Sequence, residues 1–145
     1  MTASLYETDF YSWTQKQAAL LRDEEWENLD WQQIAEEIES LGRNERREIK
    51  SRLGVLLMHL LKLEYQRRPW FLTRSWRNTI AEQRNRLDAA LAESPTLRAQ
   101  INELITEAYP YAIKDAARET GLPRATFPAV CPYSVEQLLD EDYWP

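Results

Sequence analysis

His59 is the only histidine in the 145-residue sequence. It is therefore the only side chain whose ordinary pKa places a proton exchange near neutral pH. Arg52 lies seven residues before it and Gln66 seven residues after it. On an α-helix a seven-residue step turns a side chain by only about 20° and advances it by about 10 Å. The three residues thus form a polar line, with Glu48 and Lys62 beside it. Two roles fit such a line. A guanidinium can hold a phosphate while an imidazole acts as acid or base on it. Alternatively, the line is a polar network inside a helical core, in which Glu37 and Gln83 from neighbouring helices hydrogen-bond His59 and set the register. The network is the leading reading, because His59 is the only polar side chain between residues 53 and 61.

The Arg52–His59 spacing resembles the Arg-x(4–6)-His motif of the higher-eukaryote-and-prokaryote nucleotide-binding helical ribonucleases. Leu53 stands where that motif usually has a polar residue. The resemblance implies an alternative function: metal-independent RNA cleavage by Arg52 and His59, in a site that usually needs two chains. Other chemistries lack their residues. Glu36, Glu37 and Glu39 are the acids at hand for a metal. However, there is no Glu-x-x-His pair, no second histidine and no cysteine cluster, so neither a metal nor a cofactor is expected. Gly-x-Ser-x-Gly elbows and glycine-rich phosphate loops are absent.

A second group of residues suits binding. Tyr65, Trp70, Phe71 and Trp76 are interleaved with Lys62, Arg67, Arg68, Arg74 and Arg77. Rings stack on bases and guanidiniums pair with phosphates. Arg67, Arg68, Trp70, Arg74 and Arg77 are therefore candidate binding residues for RNA or a protein partner. The plainer account is core packing, with long basic side chains lying over aromatic faces. Arg67 and Arg68 precede Pro69 in a connector and are expected at the surface.

Helices must position both groups. Apolar spacing predicts helices over residues 9–22, 31–41, 44–66, 74–93 and 95–120. Gly42 reads as the stop between the second and the third. The third is the central helix, buried over residues 53–61. Its start is basic (Arg43, Arg46, Arg47, Lys50) and the second helix is acidic. The two are therefore expected side by side, with Glu36, Glu37 or Glu39 paired to Arg46, Lys50 or Arg52. Ser94-Pro95 marks a helix start, and Pro110 is expected to kink or break the last long helix. Beyond Gly121, four prolines read as an extended arm. The arm leads into a short helix capped by Ser134, with Gln137 at the third position.

Hydrophobic residues make up 43% of the chain and glycines number only three, as in a helical globular protein. The lone cysteine, Cys131, points to a reducing compartment. The first residues lack the features of a signal peptide, and no stretch reaches the roughly 18 apolar residues of a membrane span. A cytoplasmic protein without a membrane partner is the expectation. The net charge of −6 is segregated. Residues 1–42 hold ten acids and two bases, residues 43–86 twelve bases and four acids, and residues 87–145 ten acids and four bases.

Several stretches together resemble the domain of unknown function 29 family: ETDFYSWTQKQAALLR (7–22), LDWQQIAEEIESLG (29–42), SRLGVLLMHLLKLEYQ (51–66), RSWRNTIAEQR (74–84), SPTLR (94–98) and Glu119-Thr120. The likeness covers about residues 5–120. It implies a small, helical, bacterial and largely cyanobacterial protein without an established activity. Glu36, Glu37, Glu39, His59, Lys62, Ser75, Trp76, Thr79 and Arg84 fall on motif positions of that family.

The sequence is thus read as an all-α protein. A single domain over residues 1–145 would hold a compact bundle of about five helices, with core 5–120, followed by an extended arm over 121–145 and a short terminal helix. The expected function is a non-enzymatic interaction module acting through the basic aromatic surface or by self-association. The alternatives are a metal-independent ribonuclease and an RNA-binding module. The partner is unidentified, RNA or protein, and a homo-oligomer is open.

Overall fold

The computed structural model describes residues 4–145. Among them the chain forms seven α-helices and no strand: α1 (Leu5–Thr8), α2 (Phe10–Arg22), α3 (Trp31–Tyr65), α4 (Arg74–Glu93), α5 (Pro95–Ala99), α6 (Ile101–Thr120) and α7 (Val135–Leu139). The protein is all-α. Its contacts divide into two compact units, residues 1–44 and 45–145. Helix α3 begins in the first and ends in the second.

The expected second and third helices are one helix. Helix α3 is 35 residues long and is not interrupted at Gly42. A glycine ends a helix by taking a left-handed backbone. Gly121, after α6, does so with φ 74°, and Gly42 does not. No proline follows Gly42 until Pro69. A glycine inside a helix costs only about 1 kcal/mol against alanine. Arg43 also reaches back along the helix to the Ser40 hydroxyl at 2.9 Å and to Glu39 at 3.7 Å. The expected pairing of an acidic helix beside a basic one is overturned. Glu36, Glu37 and Glu39 share a helix with Arg46, Lys50 and Arg52 and do not lie across from them.

In the first unit, short helices fold on the start of α3. Asp9 caps α2 through the Ser12 N–H. Trp13 is buried and stacked on Phe10, with Tyr6 edge-on. The Trp13 indole N–H donates to Asp30 at 3.2 Å, and the buried Gln17 amide oxygen accepts the Asp30 N–H at 2.9 Å. This small core leaves Trp31, Ile38 and Leu41 of α3 exposed.

In the second unit, Ile49, Leu53, Leu56, Leu57, Leu60 and Leu61 are all essentially inaccessible. Their i, i+4, i+7, i+8 spacing makes one broad apolar face, and each contributes about 1.5–3 kcal/mol by leaving water. Helix α4 runs antiparallel to α3 and contributes Ile80, Leu87 and Leu91; α6 runs parallel to α3 and contributes Leu104, Ala108 and Ala112. Arg46 finds its acids on α6, at 2.9 Å from Glu107 and 3.8 Å from Glu103. Ser94 caps α5 through the Leu97 N–H, with Pro95 in the first turn. Pro110 does not break α6. It is exposed, as is Thr106, whose carbonyl it leaves without a helical donor. The arm returns over the bundle. The Tyr109 hydroxyl donates to the Pro128 carbonyl at 2.7 Å, Phe127 meets Tyr65 edge-on, and Ser134 and Gln137 form a complete capping box on α7.

Candidate functional site

The polar line on α3 is engaged inside the chain. Arg52 donates to Glu48, one turn back, at 2.8 Å and to the Gln83 amide oxygen on α4 at 3.3 Å. His59 is half-buried, and its Nδ1 lies 2.8 Å from the Val55 carbonyl. A carbonyl only accepts, so Nδ1 carries the proton and Nε2 holds the lone pair of a neutral ring. Burial pushes the imidazole pKa down, the Val55 bond opposes this, and the Lys62 ammonium adds to the lowering. The expected Glu37–His59–Gln83 network does not form. Glu37 accepts the Tyr6 hydroxyl instead. It belongs to the same helix as His59 and not to a neighbouring one. Gln83 serves Arg52.

Lys62 has the more unusual setting. Its side chain is only 10% exposed, and its ammonium lies 3.3 Å from Glu119 of α6 and 4.3 Å from the centre of the Trp76 ring on α4. This carboxylate–ammonium–indole stack ties three helices together beside His59. Among the described residues, no group of three His, Cys, Asp or Glu side chains gathers as a metal site would require.

The connector between α3 and α4 behaves differently. From residue 65 to residue 81 there is no acidic side chain. Arg67, Arg68, Arg74 and Arg77 all fall in this stretch, and among the described residues none of them forms an ion pair. Arg67, Arg68 and Arg74 are exposed. Glu64 and Pro145 line the same hollow as Arg67 and Arg68, and Glu64 accepts the Tyr133 hydroxyl at 2.6 Å. Between these arginines, Trp70–Leu72 form one 3₁₀ turn whose side chains are 72%, 62% and 54% exposed.

That turn is built from within. The Leu72 N–H donates to the Pro69 carbonyl at 2.9 Å and the Thr73 N–H to the Trp70 carbonyl at 3.1 Å. The Thr73 hydroxyl and Arg77 Nη2 each donate to the same Trp70 carbonyl at 2.9 Å. Arg77 also lies over the Trp70 ring, its guanidinium carbon 5.6 Å from the centroid. Arg77 Nε is buried without a partner. Because Thr73 turns its hydroxyl back, α4 starts without a side-chain cap, and its positive end adds to the local potential.

The sequence thus leads to Arg67, Arg68, Trp70, Arg74 and Arg77, which the structure gathers around one turn. Phe71 and Leu72 complete the apex. Their signal lies in their position, between Pro69 and Thr73 in a stretch without carboxylates. Lys62 and Glu119 carry no comparable signal, being 57 residues apart.

No curated protein and no solved structure matches the chain. The family model described as "Domain of unknown function DUF29" matches residues 5–144, and the chain belongs to that family.

Proposed function

We propose that this protein is a non-enzymatic interaction module that engages an anionic partner through the connector between α3 and α4. One observation carries the reading. In a chain of net charge −6, residues 65–81 hold no carboxylate, three exposed arginines without an ion pair among the described residues (Arg67, Arg68 and Arg74) and an exposed Trp-Phe-Leu turn. Charges that a fold does not use internally remain available to another molecule, and clustered charge of one sign steers association. A reducing, cytoplasmic setting fits the single cysteine, Cys131. The ribonuclease reading loses support at Arg52, whose guanidinium is held by Glu48 and Gln83.

Retention on a heparin column tests the reading with a plain polyanion. The full chain should bind at low ionic strength in spite of its net charge and elute with salt. An Arg67→Glu/Arg68→Glu variant should pass through. A wild-type chain that flows through, or a variant retained equally, would place the binding surface elsewhere.

A further inference from the structure

We propose that the partner of the α3–α4 connector is an anionic lipid surface, entered by Trp70, Phe71 and Leu72 while Arg67, Arg68 and Arg74 hold the phosphodiester headgroups. This rests on the reading of the connector as an anion-binding surface and names what it binds. No helix among the described residues is long and apolar enough to cross a membrane, and none is needed. Binding at the surface requires only an apolar wedge with cations at its base.

The apex chemistry favours lipid over bases. Stacking on a base needs an open, flat ring. One face of Trp70 carries the Arg77 guanidinium, and Phe71 meets the Trp70 ring edge-on, at 85° and 6.2 Å between centroids. Leu72 has no π face and is still 54% exposed. All three side chains suit the boundary between headgroups and acyl chains, where tryptophan is enriched. Nucleic acid would use the arginines and leave Leu72 without a purpose.

The backbone is partly prepared for this. An unpaired N–H or C=O is costly away from water, and the Leu72 and Thr73 N–H groups and the Trp70 carbonyl are bonded within the turn. This leaves the Trp70 and Phe71 N–H groups to water or headgroup oxygens. Pro69 fixes the entry into the turn, so little ordering is left for the moment of binding. Within the second unit, the stretch 65–81 holds no acid while residues 87–145 hold ten, and these repel an anionic surface.

The test is flotation of the full chain with vesicles of equal parts phosphatidylglycerol and phosphatidylcholine, and with pure phosphatidylcholine, at low ionic strength. The chain should float with the first and not with the second. Phe71→Ser/Leu72→Ser keeps every charge and should weaken binding at least about tenfold. Arg67→Ser/Arg68→Ser should weaken it about thirtyfold. Thermal melts report whether each variant is folded. The second variant guards the first, since the Arg67 and Arg68 side chains make no hydrogen bond or ion pair among the described residues. An absence of flotation with the anionic vesicles overturns the proposal, as does undiminished flotation of folded Phe71→Ser/Leu72→Ser. Binding to single-stranded oligouridylate without binding to vesicles also overturns it, but leaves the connector as the anion site. Indifference to vesicles, oligouridylate and heparin alike removes both.

Discussion

Arg46, Arg52 and Arg84 are engaged within the second unit, whereas Arg67, Arg68 and Arg74 of the same unit are not. The engaged set projects from long helices with acceptors in reach: Glu107 for Arg46, Glu48 and Gln83 for Arg52, and the Leu138 and Gln137 carbonyls for Arg84. The free set sits in and just after a short connector without a single carboxylate. Residue type is the same, so the difference lies in what surrounds it. A count of basic residues over 43–86 overstates the binding surface, since several of those charges are internal struts. The free guanidiniums are the ones that the absence of local acids leaves over.

The comparison breaks most visibly at Arg84. This side chain is 1% exposed. It donates to the Leu138 carbonyl at 2.8 Å and the Gln137 carbonyl at 3.1 Å, and its guanidinium lies 5.3 Å from the Trp144 ring centre. Burial without an ion pair lowers its pKa from the ordinary arginine range. Arg84→Ala should destabilise the fold by about 2–4 kcal/mol, since it opens a cavity and strips donors from buried carbonyls. A urea midpoint reads this directly. Arg84→Met sharpens it: recovery of most of the loss would assign the role to packing, and continued loss to the hydrogen bonds. An unchanged midpoint in Arg84→Ala would mean that Arg84 is no strut.

The elements legible in the sequence are those with local causes. The 53–61 core run, the Ser94-Pro95 start and the Ser134–Gln137 box each depend on residues within one or two turns, and each is where the pattern puts it. The continuity of α3 is not legible at Gly42. A glycine ends a helix only if the following backbone turns left-handed, which its own identity does not decide. Arg84 was a motif position without a visible task, because its acceptors lie more than 50 residues away on the arm. Lys62 and Glu119 are hidden for the same reason. At the connector, the exposure of Arg67 and Arg68 is readable from Pro69, whereas the exposure of Trp70 is not. Nor is that of Leu72, since the alternation of rings and bases fits a core equally well.

His59 sharpens the comparison from the engaged side. Its imidazole is held neutral by burial beside Lys62, with Glu119 pulling the other way. In the unfolded chain it takes up a proton near its ordinary pKa of 6.5; in the folded chain it does so only at lower pH. The unfolded state therefore binds more protons in that window, and stability rises with pH through it. The contribution is complete above about 6.5 and is lost as pH falls towards the folded value. Glu107, whose carboxyl is held low by Arg46, adds a separate loss at more acidic pH. His59→Gln should stay folded at a cost of about 1 kcal/mol. Its melting temperature should also be flatter with pH than that of the wild type between neutrality and the carboxylate range. Parallel pH profiles for the two proteins would show that His59 does not titrate differently on folding.

The smallest expected effect tests the free set. Arg67 and Arg68 are exposed, follow α3, and among the described residues make no side-chain hydrogen bond and no ion pair. Removing a solvated charge with no partner leaves nothing unsatisfied and opens no cavity. Such substitutions usually fall within about 0.5 kcal/mol of neutral. The two charges also sit close to each other and to the C-terminal end of α3. Loss of their mutual repulsion stabilises the fold, while loss of their attraction to the helix dipole destabilises it by a few tenths of a kcal/mol, so the two effects oppose each other. Arg67→Ser/Arg68→Ser should therefore melt within about 1–2 °C of the wild type, at both low and high salt. A drop of the size expected for Arg84→Ala would show that these guanidiniums are struts as well. The distinction between engaged and free arginines, and the binding surface inferred from it, would then collapse.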